Sequence, residues 1–190
     1  MKKYFILPAL AASLFFLTAF SGCIIFHKIT YEVKLDTPQK GIVTITAYDM
    51  RSDAEDKKDL EADKKNLFDY MLKSGEFKDY LSKQGKFLVS RNLSVEDGRL
   101  VGTGSYRFDE IDKVEGIKYE EGYHYLNLTL EDSVISTNGE VIRSKDYKRI
   151  VWGPDEKTLT FTMFSKSFEH VKYKPLAQYF KDSKSPDTKK

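Results

Sequence analysis

An alternation of apolar and polar residues returns along most of this chain, and it constrains the fold more than any other feature. In "ITYEVKLD", Ile29, Tyr31, Val33 and Leu35 alternate with Thr30, Glu32, Lys34 and Asp36, the period-two pattern of a strand with one buried face. After the turn "TPQKG", the β-branched "GIVTITAYD" sets Val43, Ile45 and Ala47 on one side, so the two segments predict a hairpin. "KFLVSRNLSV" and "RLVGTGSYRF", joined by "EDG", predict a second. "YHYLNLTL" places Leu126, Leu128 and Leu130 on one face and Tyr123, Tyr125 and Asn127 on the other. Asn138-Gly139 within "VISTNGEVIR" is the strongest short hairpin signal. Pro154 and Asp155 predict a further turn between "YKRIVW" and "TLTFTMF".

The period lengthens at "RSDAEDKKDLEADKKNLFDYMLKSG". Leu60, Leu67, Met71 and Leu72 mark one helical face, and Ser52 with Glu55 matches a capping box. Glu61 with Lys65 and Asp69 with Lys73 are favourable i, i+4 pairs, and Gly75 predicts a stop. "EFKDYLSKQG" adds Phe77, Tyr80 and Leu81. "DEIDKVEG" reads as one short turn with Asp109 as cap and Gly116 as stop, and "PLAQYF" as a short helix opened by Pro175. Gly102 and Gly104 strip one strand face of side chains, permitting a bend or close packing of the helix. The expected architecture is α+β: a curved, mainly antiparallel sheet or open β-barrel of about eight strands, with one principal helical region over residues 53–83 packed on one side.

The two ends are of different character. Lys2 and Lys3 precede an uncharged run, Tyr4 to Phe26, that contains the only cysteine, Cys23. A basic start, an apolar core and the small pair Ser21-Gly22 read as an export signal. The order Phe20, Ser21, Gly22, Cys23 resembles the lipobox of bacterial lipoproteins, although leucine is usual where Phe20 stands. That resemblance implies diacylglyceryl modification of Cys23, removal of residues 1–22 and acylation of the freed amine. An uncleaved signal anchor is the alternative, since roughly 20 apolar residues suffice to span a bilayer. Pro8 and Ser21-Gly22 suit a helix interior poorly. The expected division is a signal at 1–22, a lipidated anchor and short tether at 23–28, one head domain at 29–180, and a solvated, disordered tail at 181–190. Isoleucine after the cysteine resembles outer-membrane sorting signals of enteric bacteria, so the expected location is the cell envelope.

Removing residues 1–22 from the 190 leaves 168, enough for one domain with an adequate core. It also lowers Lys plus Arg from 31 to 29, equal to the 29 Asp plus Glu. A neutral head exerts no global pull on nucleic acid, and no nucleic-acid partner is expected. With Cys23 committed to lipid, disulfides and thiol catalysis are excluded.

Chemistry-bearing constellations are sparse. His27, His124 and His170 lack metal-ligand spacing, and no metal or cofactor is expected. "VGTGSYR" is neither G-x-S-x-G nor G-x-G-x-x-G. Asp109, Glu110 and Asp112 cluster, as do Glu120 and Glu121, where turn chemistry already accounts for them. Aromatic residues are abundant, and Tyr123 and Tyr125, turned away from the leucines and near Tyr119, form a candidate surface for an envelope lipid, glycan or protein. The order hairpin, helix, hairpin, short helix, strands, with "DGRLVGTGSYRFDEID" at its centre, is similar to the heads of mycobacterial LppM-type lipoproteins. That likeness covers about a third of the chain and implies no catalytic residue. The expected function is a membrane-anchored envelope lipoprotein with a non-enzymatic binding or structural head. The alternative is an enzyme acting on envelope polymers, which a cleft joining His124 or His170 to two carboxylates would favour.

Overall fold

A computed structural model describes residues 23–164 and 173–180. Residues 1–22, expected to be a signal, residues 181–190, expected to be a tail, and His170 lie outside them. The described residues form an α+β fold of 13 strands in three sheets, with every strand pair antiparallel. This corrects the expectation of one curved sheet or open barrel of about eight strands. The alternation shows that each strand has a buried face, but not which layer covers it.

The largest sheet has six strands, in the order β5-β6-β3-β2-β12-β9. These are β2 (Lys28–Leu35), β3 (Gly41–Tyr48), β5 (Lys86–Glu96), β6 (Arg99–Phe108), β9 (Ser133–Thr137) and β12 (Thr158–Phe164). Both early hairpins form as expected. Asp97 and Gly98 turn the second with φ of 50° and 75°, the left-handed pair that matches strand twist.

Four strands build the second sheet, in the order β10-β11-β8-β7: β7 (Lys118–Glu120), β8 (Tyr123–Leu128), β10 (Glu140–Arg143) and β11 (Lys148–Trp152). A small third sheet holds β1 (Ile24–Ile25), β4 (Arg51–Ser52) and β13 (Lys174–Pro175), with β4 between the other two.

Neither late turn closes a hairpin. β9 pairs with β12 and β10 with β11, so Asn138-Gly139 carries the chain from the first sheet to the second. Residues 153–157 carry it back, because β11 pairs with β8 and β12 with β2. The reason is the Asn138 side chain. Its Oδ1 accepts from Trp152 Nε1 (2.9 Å) and Thr160 N (2.8 Å), and its Nδ2 donates to the Thr158 carbonyl (2.7 Å), tying the two sheets together. At Gly139 a Cβ would stand 2.8 Å from both Ile150 and Trp152, so glycine is required by close approach.

The helical region is interrupted. α1 (Lys57–Lys65) starts at Asp56, whose side chain accepts from Asp59 N (2.8 Å), and runs into a π-helical stretch, Asn66–Met71. α2 (Gly75–Lys83) starts at Ser74, capping Glu76 N (3.0 Å). Ser52 is therefore no helix cap; it lies in β4, and its hydroxyl donates to Asp63 (2.5 Å). Gly75 opens a helix instead of stopping one. Asp109 pairs with Lys40 (3.3 Å) while the 3-10 turn Ile111–Lys113 follows Glu110. Pro175 extends β13, leaving only a 3-10 turn at Ala177–Tyr179. Leu130 lies beyond β8 and is exposed.

One face of the six-stranded sheet receives both covers. The four-stranded sheet and the 111–117 segment cover one part, around Trp152, Phe161, Phe108 and Tyr31. The helices cover the other, around Met50, Leu67, Leu72 and Leu93.

Candidate functional site

Beneath the helices the cover is incomplete, and a pocket of about 100 Å³ remains. Alternation on β6 points positions 102 and 104 toward the helices, and both are glycine. At Gly102 the vacancy is filled, since a Cβ would stand 2.8 Å from Met50 Sδ and 3.2 Å from Leu93. Gly104 differs. A Cβ there would meet only the Ser90 carbonyl at 3.8 Å, so its side of the strand is open space.

The roof comes from Leu67, Met71 and Leu72 of the π-helical stretch and its end, and from Phe77 and Leu81 of α2. Arg91 of β5, across from Gly104 in register, joins floor to roof. Its Nη1 donates to the carbonyls of Met71, at the end of the π-helical stretch, and of Ser74, the N-cap of α2 (2.9 Å each), tying the strand to the junction between the two helical runs. A buried arginine thus spans the layer where an apolar side chain would otherwise fill it. The lining is mainly aliphatic, thioether and aromatic, with Arg91, Asn92, Thr103 and Ser105 as polar members, and contains no Asp, Glu, Lys or His. Sequence reasoning singled out Gly102 and Gly104, but not the difference between them.

Cys23 lies at the edge of the same apolar cluster. Ile24 and Phe26 pack against it, so the segment read as anchor and tether is folded from Ile24 onward. The Cys23 amide donates to Asp53 Oδ1 (2.7 Å), and Asp53 N donates back to the Cys23 carbonyl (3.2 Å). Partial burial, then the carboxylates of Asp53 and Asp63, hold the thiol above its usual pKa. Among the described residues no helix is long and apolar enough to cross a membrane.

The three tyrosines do not converge. Tyr123 and Tyr125 lie on the outer face of β8 as expected, but Tyr119 is paired in register with His124 and shares the opposite face. The Glu121-Gly122 turn, with φ of 51° and 89°, fixes that register. Tyr119 packs on the His124 ring at 4.7 Å. Tyr125 is not an open platform: Arg149 sits 4.3 Å from its ring, and its hydroxyl donates to Glu120 (3.0 Å). The same guanidinium reaches Tyr147 at 5.7 Å and donates to Asn127 (2.7 Å). Tyr123 and Tyr119 are both exposed, on opposite faces, and Tyr125 is partly buried.

Buried ionisable groups gather around Tyr106, which also lines the pocket. Burial raises the pKa of the Glu115 carboxyl, opposed by Lys86 and Tyr31. Burial likewise lowers that of the Lys86 ammonium against the attraction of Glu115. Desolvation therefore outweighs attraction at both. Tyr31 and Tyr106, buried beside them, are raised by burial first and by Glu115 second. His124 is buried, with Nε2 2.8 Å from the Pro38 carbonyl and Nδ1 without a hydrogen-bond partner, and no carboxylate is bonded to it. Among the described residues no group of three or more His, Cys, Asp or Glu is placed to hold a metal ion. Comparison with protein-family models, curated proteins and solved structures returns no match.

Proposed function

We propose that this chain is a lipid-anchored protein of the bacterial cell envelope whose head binds an apolar ligand between its helices and its largest sheet. The pocket carries the binding part of this reading: a preformed concavity lined by apolar side chains is the ordinary form of a small-ligand site. Its lining lacks the acid, base or metal-ligand groups that chemistry on a bound molecule would use. The anchor part is supported by the signal-like segment ending at Cys23, which one acyl chain would hold only marginally and two or three stably.

Two measurements on protein extracted from its native membrane test the parts separately. Intact mass should show loss of residues 1–22 and addition of lipid, and Cys23→Ala should abolish fatty-acid labelling and stop signal removal. An intact Met1 end with a free thiol would replace the lipid anchor by an uncleaved one. Solvent extraction of the folded head should release a stoichiometric hydrophobic compound; a head that carries none and binds no apolar probe would sink the ligand reading.

A further inference from the structure

We infer that the pocket admits the end of one unbranched alkyl chain, the acyl tail of a membrane lipid, and that Gly104 sets how deeply the chain enters. This rests on the pocket being a ligand site and specifies what enters it. Size supports a slim guest: about 100 Å³ is less than the cavity of about 150 Å³ known to take a benzene ring. A fused ring system is too wide, whereas the last few carbons of a chain fit and the remainder emerges through the open side. The lining agrees in being mainly apolar, and the guanidinium within it, Arg91, already donates to the Met71 and Ser74 carbonyls.

The walls can also adjust. Met50 and Met71 are unbranched thioethers, the side chains that reshape most readily around an apolar guest. Met71 closes the π-helical stretch, a winding rare in helices and frequent at functional sites.

Position supplies the source of the chain. Ala47, Met50, Leu67, Leu72 and Leu93 belong both to the pocket and to the cluster on which Ile24 and Phe26 rest. With Cys23 at the bilayer surface, the pocket and the acyl chains of surrounding lipids lie on the same side of the head. Gly104 is the end stop by omission, since any side chain there would project into the space the guest uses.

The test uses the full chain in phosphatidylcholine vesicles carrying a phosphatidylcholine with a diazirine at the end of one acyl chain. A parallel sample carries a terminal-diazirine fatty acid. Illumination should place adducts on the peptides containing Met71 and Leu88, and labelling by the phospholipid or by the fatty acid alone identifies which molecule donates the tail. Gly104→Leu should reduce these adducts by about tenfold or more, and Gly104→Ala by less, while both keep the wild-type thermal unfolding midpoint or raise it. Adducts confined to residues 1–26, or unchanged in a folded Gly104→Leu, would overturn the inference. 1-Fluorobutane, slim enough for the pocket, followed by fluorine NMR separates the two levels. If it binds the wild type and is excluded by Gly104→Leu while no acyl adduct forms, the site stands and the membrane-lipid tail falls; if neither probe binds, both fall.

Discussion

The two covers of the six-stranded sheet solve the same problem differently. Over β2, β3 and β12 a second sheet packs face to face, and Trp152, Phe108, Phe161, Ile150 and Leu159 have essentially no exposed surface. Tyr31 stacks on Phe161 at 4.5 Å and Trp152 leans on the same ring at 5.9 Å. Large rings from both layers interdigitate across the gap of about 10 Å between packed sheets. Over β5 and β6 the cover is helical, the floor carries two glycines, and an arginine reaches across where a ring might stand. The first half is closed and the second has room. Completeness of packing thus separates the part that holds the fold from the part able to accept a guest.

Truncation in the closed half should show the largest effect. Trp152→Ala should cost about 3–5 kcal/mol in urea unfolding, from the cavity and from the donor lost to Asn138. A loss under about 1 kcal/mol would mean that the sheets are not packed as described. Next comes the filled glycine. Gly102→Ala should cost under about 1 kcal/mol, because its Cβ meets the ends of the Met50 and Leu93 side chains, which must give way and can. Two residues on, Gly104→Ala should stabilise by about 0.4–1 kcal/mol, since the unfolded chain loses freedom and nothing in the fold is displaced. Equal signs at the two glycines would erase the distinction between floor and pocket. Tyr123→Ser, on an exposed face, should shift stability by under about 0.5 kcal/mol.

Titration reaches both halves, through Asp63 on α1 and Glu115 beside the closed core. Burial raises both carboxyl pKa values, against the Ser52 hydrogen bond at Asp63 and against Lys86 and Tyr31 at Glu115. Each folded value lies above the unfolded one, so each favours folding when protonated and loses that contribution as pH rises through the folded value. The urea midpoint should therefore rise as pH falls from neutrality toward the ordinary carboxylate range. Asp63→Asn combined with Glu115→Gln should flatten that rise, and an unchanged slope would show that other groups set it.

What could be read from the residues was what local chemistry decides. Asp97-Gly98 makes its turn from its own backbone, and the alternation of Ile29 to Leu35 finds its buried side whichever layer covers it. Asn138-Gly139 has the same dipeptide character and does something else, because its hydrogen-bond partners, Trp152 and Thr160, are remote in sequence and belong to different sheets. Tyr119 went to the other face because a two-residue turn sets register, and register decides faces. The pocket was half legible: a side-chain-free stretch was visible at Gly102 and Gly104, but only the path of Met50 decides which vacancy is filled. Cys23 stands apart, since its expected role comes from a processing pattern and not from folding.

The strand order also sets a timetable. β12 completes the sheet by pairing with β2, and the contact between the Thr162 and Thr30 hydroxyls spans 132 residues. Chains emerge N-terminus first, so the β2–β3 hairpin can form early while one edge of β2 waits for a partner made last. At roughly 5–20 residues per second, that wait lasts on the order of ten seconds. Throughout it, an eight-residue row of backbone donors and acceptors is available to any passing strand, including that of another nascent copy. A holding chaperone should therefore raise the yield of folded protein chiefly when it acts before residue 158 has emerged.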